Sequence, residues 1–145
     1  MFSTPFGIYI YMQLALQSHL SLDSKKSRQV LGKVLHRVQA SWNFTNVEMA
    51  LLLRVKPNTY GHWMKKHEIP FQKPPYSSEI EILIALLSIF RSLGSMFTSF
   101  SDQILWLKTP HPHFAGKSPL EFAKNSCENI FYLKQYLDFV RGRGA

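Results

Sequence analysis

The chain has 145 residues, 46% of them hydrophobic and 14% aromatic, which is material for one packed domain or two very small ones sharing a core. That composition excludes a disordered body. A net charge of +8 points to an anionic partner, and the single Cys127 excludes an internal disulfide and suits reducing, cytoplasmic surroundings.

The charge is uneven. Residues 1–41 carry +4 and residues 42–76 carry +3, against −1 for 77–114 and +2 for 115–145. At the start of the chain, Phe6 to Leu16 is apolar, with no basic residues before it and Gln13 within it. It has neither the form of a signal peptide nor the length of a membrane span. A packed helix or strand is expected there, against the protein or against a second copy.

Residues Ser27 to Ala40 read as an amphipathic helix, because Val30, Leu31, Val34, Leu35 and Val38 recur at helical spacing. Lys26, Arg28, Lys33 and Arg37 fall mostly away from that stripe. Trp42 and Phe44 follow as expected core aromatics. Thr45 can cap a short helix from Asn46 to Leu53, and Pro57 suits the first turn of another that runs to about Lys66. Ile69-Pro70 ends it, and Pro74-Pro75 marks a linker.

Ser78 to Leu93 is the strongest helix of the chain. Ser78 and Glu81 have capping-box spacing. Its apolar residues cover nearly the whole circumference, so it is expected to be the central core helix or a subunit interface. Gly94 is expected just past its end. Ser101 is expected to cap Asp102 to Leu107.

Pro110 and Pro112 stop that helix, and Ser118-Pro119-Leu120-Glu121 opens the next as a capping box with Pro at its first position. Ser126 can cap a last helix through Val140. Gly142 and Gly144 then predict a flexible tail unless a partner orders it. No strand pattern or repeat appears, so the class is all-α. Two regions are expected: a helical region over 1–76, and a second helical region with its tail over 77–145.

The segment Val47 to Lys66 fits a helix-turn-helix, placed at about 45–66. Ala50 sits where two helices touch, Leu53 and Val55 flank the turn, and Tyr60 and Trp63 take the buried positions of the second helix. Such a unit lays its second helix in the major groove of DNA. The outward candidates are Lys56, Asn58, Thr59, His62, Lys65 and Lys66. Asn58 is suited to adenine and the lysines to phosphates. Arg54 stands where the turn usually has Gly, Lys56 where a Ser or Thr cap is usual, and Gly61 weakens the second helix.

His111-Pro112-His113, His62, His67 and Cys127 lack the paired spacing of zinc sites, so no metal is expected and the loop histidines read as exposed. No phosphate loop, dinucleotide motif or nucleophile with a nearby base appears, and no cofactor, small-molecule substrate or catalytic residue is expected. The chain reads as a non-enzyme.

The run Leu105 to Phe122, with Trp106, Leu107, Pro110, Phe114, Gly116, Pro119 and Glu121, resembles the toxin-binding domain of the Xre/MbcA/ParS antitoxins. Residues from about Ser41 to Gly142 resemble a whole member: helix-turn-helix first, toxin-binding domain second. Asp138-Phe139 fall where the family has an acidic residue followed by Tyr, and Val140 replaces the Gly that usually follows.

The resemblance implies an antitoxin that neutralises a RES-type toxin, an NAD-consuming enzyme encoded beside it, by blocking the mouth of its active site. It also implies repression of its own operator. Toxin-facing candidates carried over are Lys117, Asp138, Phe139, Arg141 and Arg143. A homodimer is expected, since two-fold symmetry matches palindromic half-sites. The alternative is a stand-alone helix-turn-helix regulator without a toxin partner.

Overall fold

A computed structural model describes residues 25–70 and 78–144. They form seven α-helices and one 3-10 turn, with no strand among the described residues. The helices are α1 (Lys25–Trp42), α2 (Asn46–Leu53), α3 (Pro57–Lys66), α4 (Ser78–Met96), α5 (Phe100–Lys108), α6 (Pro119–Asn125) and α7 (Cys127–Gly144). The 3-10 turn, Pro112–Phe114, lies between α5 and α6. The apolar N-terminal stretch and the Pro74-Pro75 linker lie outside the described residues.

One continuous core joins the two expected regions. Leu31, Val34, Leu35 and Val38 bury the predicted stripe of α1. Trp42 ends that helix deep in the protein, in ring contact with Phe44 and Phe90. Its indole Nε1 donates to Gln103 Oε1 at 2.9 Å, which ties α1 to α5. A buried indole N–H needs such a partner.

α4 is the central helix. Ile80, Ile82, Leu83, Leu86, Leu87, Ile89, Phe90 and Leu93 are all buried, and α7 packs along it. The apolar circumference is therefore covered within one chain, apart from Ile84 at 39% exposure. The structure thus supports the core role foreseen for this helix.

Several element ends differ from expectation, among them both ends of α1, which runs from Lys25 to Trp42. α4 runs through Gly94 to Met96, and Phe97 N–H still bonds Leu93 O at 2.9 Å. Packing Met96 and Phe97 on the core outweighs the cost of about 1 kcal/mol for a helical Gly. The next cap is Ser99 rather than Ser101. Its Oγ accepts from Asp102 N–H at 3.2 Å, so Phe100 enters the helix and stacks on Phe90.

α7 runs past Val140 to Gly144, so Arg141 and Gly142 are helical rather than part of a flexible tail. Arg141 pairs with Asp138 one turn back, which favours continuing the helix. Ala145 lies outside the described residues.

No single helix among the described residues is long and apolar enough to cross a membrane. α4 and α5, the two most apolar neighbours, meet at a bend of 117°.

Candidate functional site

Local chemistry sets the α2–α3 pair. Thr45 Oγ1 accepts from Glu48 N–H at 3.1 Å, and Glu48 Oε1 accepts from Thr45 N–H at 3.2 Å, a complete capping box. α2 ends in a Schellman turn: Val55 N–H bonds Ala50 O at 3.0 Å and Arg54 N–H bonds Leu51 O at 3.3 Å. That turn puts Arg54 at φ 60° and ψ 35°, the left-handed region, which explains why Gly is usual there. Ala50 and Leu53 are fully buried at the junction.

Pro57 begins α3, and Lys56 before it supplies no side-chain cap. The first backbone N–H groups of α3 are therefore left to solvent or to a ligand. Tyr60 is fully buried and its hydroxyl donates to Gln39 Oε1 at 2.6 Å. Burial pushes its phenol well above the ordinary tyrosine range. Trp63, expected to be buried, is only partly so. It lies at the edge of the pair, against Tyr60 and a surface groove that also takes in Lys56 and Thr59.

Lys56, Asn58, Thr59, His62, Lys65 and Lys66 are all exposed. None forms an ion pair with a described residue. One short helix thus presents polar and basic groups outward while Tyr60 anchors it inward.

Arg54 has a task that the local sequence did not reveal. Its Nη1 donates to Lys124 O at 3.1 Å, at the end of α6. Lys124 Nζ in turn stands 3.6 Å from Glu48 and 3.4 Å from Glu121. Glu128, in the first turn of α7, is held below the usual carboxylate range. Its own backbone N–H is the main cause, followed by Cys127 and Ser126, with a smaller contribution from the Arg54 charge.

The corner from α5 to α6 is held by short-range bonds and ring packing. Ser118 Oγ accepts from Glu121 N–H at 3.2 Å, with Pro119 in the first turn. Only half of the expected capping box forms, because the Glu121 carboxylate pairs with Lys124 instead. Ala115 and Gly116 both take positive φ, and His111 N–H bonds Lys117 O at 3.1 Å to close the loop. Phe114 is fully buried, with its ring in contact with Trp106, Phe122 and Tyr136.

The toxin-facing candidates are divided. Lys117 is exposed on the corner loop. Phe139 is 60% exposed on α7. Asp138 is engaged within the chain: Lys134 at 2.8 Å, Arg141 at 3.4 Å and the Ser92 hydroxyl at 3.5 Å. It ties α7 to α4, and its pairing occupies Arg141 as well. Arg143 lies in the last turn of α7, and its side chain is outside the described ones.

Tyr132 and Tyr136, which no motif singles out, share a face of α7 with Phe139. Tyr132 hydroxyl and His113 Nε2 are 3.1 Å apart, and the His113 and Tyr136 rings lie 4.4 Å apart. The i, i+4, i+7 spacing of two tyrosines and a phenylalanine was the available signal.

His111 is not a freely exposed loop residue either. It is half-buried, and its Nδ1 accepts from His113 N–H at 3.1 Å. Among the described residues no group of three His, Cys, Asp or Glu side chains is placed to hold a metal ion. Cys127 is a free, half-buried thiol.

No family model matches this chain, and no curated protein matches it.

Proposed function

We propose that this chain is a DNA-binding antitoxin. In this reading α2 and α3 act as a helix-turn-helix on operator DNA, and the α5–α6 corner with α7 forms the face that engages an NAD-consuming RES-type toxin. The observation that carries it is the outer face of α3. Its exposed amide, hydroxyl, imidazole and ammonium groups have no acidic partner among the described residues, which is the chemistry that base edges and phosphates demand.

The toxin half of the proposal draws on the resemblance of Leu105 to Phe122. Trp106, Phe114, Ser118 and Pro119 act as anchors and caps of the corner. Lys117 and Phe139 are left as its outward groups. On this reading the motif builds the domain and its neighbours make the contact. The chain acts without cofactor or catalytic residue, as a homodimer on paired half-sites.

Co-purification with the product of the neighbouring gene, followed by an NAD-consumption assay on the complex, tests the proposal. A stable complex without NAD consumption supports it. Absence of any complex, with operator DNA still retained, leaves the stand-alone regulator. One observation favours that second reading: Asp138 and Arg141, two of the five toxin-facing candidates, neutralise each other within α7.

A further inference from the structure

The chemistry of α3 does not end at α3. The C-terminal end of that helix is stapled to α1 at close range. Gly32 of α1 lies against the backbone of His67, and a Cβ there would stand 2.8 Å from the His67 carbonyl carbon and oxygen. Ile69 N–H bonds Arg28 O at 3.3 Å, and Arg28 Nε donates to Glu68 Oε1 at 3.0 Å. The His36 and His67 rings are 6.3 Å apart. α1 is therefore held against the C-terminal end of α3, next to Lys65 and Lys66.

The solvent side of α1 is basic. Lys26, Lys33 and Arg37 are exposed at positions i, i+7 and i+11, which share one helix face over about 16 Å. None has an ion-pair partner among the described residues. Residues 25–70 contain nine lysines and arginines against two glutamates. Both glutamates are committed elsewhere, Glu68 to Arg28 and Glu48 to Lys124. The described residues thus supply no counter-charge to this face, which leaves its cations available to an external anion.

We infer that the outer face of α1 is a second anchor on the phosphate backbone of double-stranded DNA, beside the base-reading surface of α3. The inference rests on the DNA-binding part of the proposed function and adds Lys26, Lys33 and Arg37 to it. A row of cations set on the phosphate backbone contributes affinity and salt dependence, not sequence preference. An anionic membrane is the weaker fit. A helix that lies on a membrane exposes aromatic and aliphatic side chains among its cations. Here Leu31, Val34, Leu35 and Val38 are all spent in the core.

The test is fluorescence anisotropy of the full chain with a labelled operator duplex and a scrambled duplex, between about 50 and 200 mM salt. The Lys33→Gln/Arg37→Gln variant is compared with Lys65→Gln/Lys66→Gln and with wild type. Both pairs are exposed, so folding is not at stake, and circular dichroism checks it. The α1 variant is expected to lower the slope of log affinity against log salt by about 2, at about 0.9 per phosphate contact, with its operator-to-scrambled ratio unchanged. An unchanged slope in the α1 variant, with binding weakened in the α3 variant, overturns the inference and leaves the DNA reading standing. Failure of the wild type to bind either duplex overturns both. Equal uptake by phosphatidylserine vesicles, lost in the same α1 variant, also overturns the inference.

Discussion

Residues 25–70 and residues 78–144 share a core but handle their charges in opposite ways. The first segment has nine cations and two anions, and spends both anions on Arg28 and Lys124. The second has seven cations and six anions, and closes several of them on one another, as in Lys134–Asp138–Arg141 and Lys124–Glu121. Exposed ion pairs add little to stability, so this pairing matters mainly for what remains available to a partner. The first segment leaves most of its cations without an acidic partner among the described residues. The second offers aromatic side chains, Tyr132 and Phe139, at 44% and 60% exposure.

The two segments also differ in how they are held. The corner around Phe114 is a packed aromatic cluster, whereas the α2–α3 pair is held by its turns, by aliphatic Met49, Ala50, Leu52 and Leu53, and by one buried Tyr. Phe114→Ala is therefore the largest expected loss, about 3–5 kcal/mol in urea unfolding. The ring is fully buried, and Trp106, Phe122 and Tyr136 would be left around a cavity. A loss below about 1 kcal/mol would mean that the corner is not an independent anchor of the second segment.

Gly32→Ala comes next and probes the first segment. The added methyl would meet the backbone of His67, which has no flexible end to move. Overpacking of that kind costs about 1–3 kcal/mol, and α1 would shift from the end of α3. Unfolding midpoints measure the first effect. A fall in DNA affinity without change in any α3 side chain would measure the second.

Tyr60→Phe sharpens the comparison through pH. The Tyr60 phenol is raised by burial, so its contribution to stability is complete below the unfolded-state value near 10 and is lost as pH rises above it. The wild type should lose stability more steeply than Tyr60→Phe between about pH 9 and 11. At neutral pH the variant should be weaker by about 1 kcal/mol, because the bond to Gln39 is gone. Parallel stability curves for the two proteins across that range would place the phenol in contact with water.

Features written in neighbouring residues were legible in the sequence. Thr45, Ser118 and Ser126 all accept from the backbone N–H three residues on, where short-range capping requires them. Asn46–Leu53 and Pro57–Lys66 begin and end where a cap, a proline and the apolar spacing put them. Contacts between distant residues were not legible. No local signal marks Gly32, although it is the point where α1 meets His67. Ser99 outcompeted Ser101 because Phe100 had a place on Phe90. The resemblance marks Asp138 as toxin-facing, and in the fold it spans from α7 to Ser92 on α4. In each case the deciding partner lies across the fold, where periodicity carries no information.

Arg54 shows that same division in one residue, and it carries the smallest expected effect. Its backbone is strained in the left-handed region at roughly 1–2 kcal/mol, which glycine would relieve. Its guanidinium meanwhile bonds the Lys124 carbonyl, seventy residues away. Arg54→Gly removes both terms, so its stability should stay within about 1 kcal/mol of wild type. Arg54→Ala keeps the strain and loses the bond, and should be less stable than Arg54→Gly by about 1 kcal/mol. If Arg54→Gly proved more stable than wild type by the full strain, the bond to Lys124 would contribute nothing measurable. The two segments would then be joined by their shared core, the Trp42–Gln103 bond and the Glu48–Lys124 pair. If instead Arg54→Gly matches wild type, the arginine stands at a glycine position because the link between the segments offsets the strain of its turn.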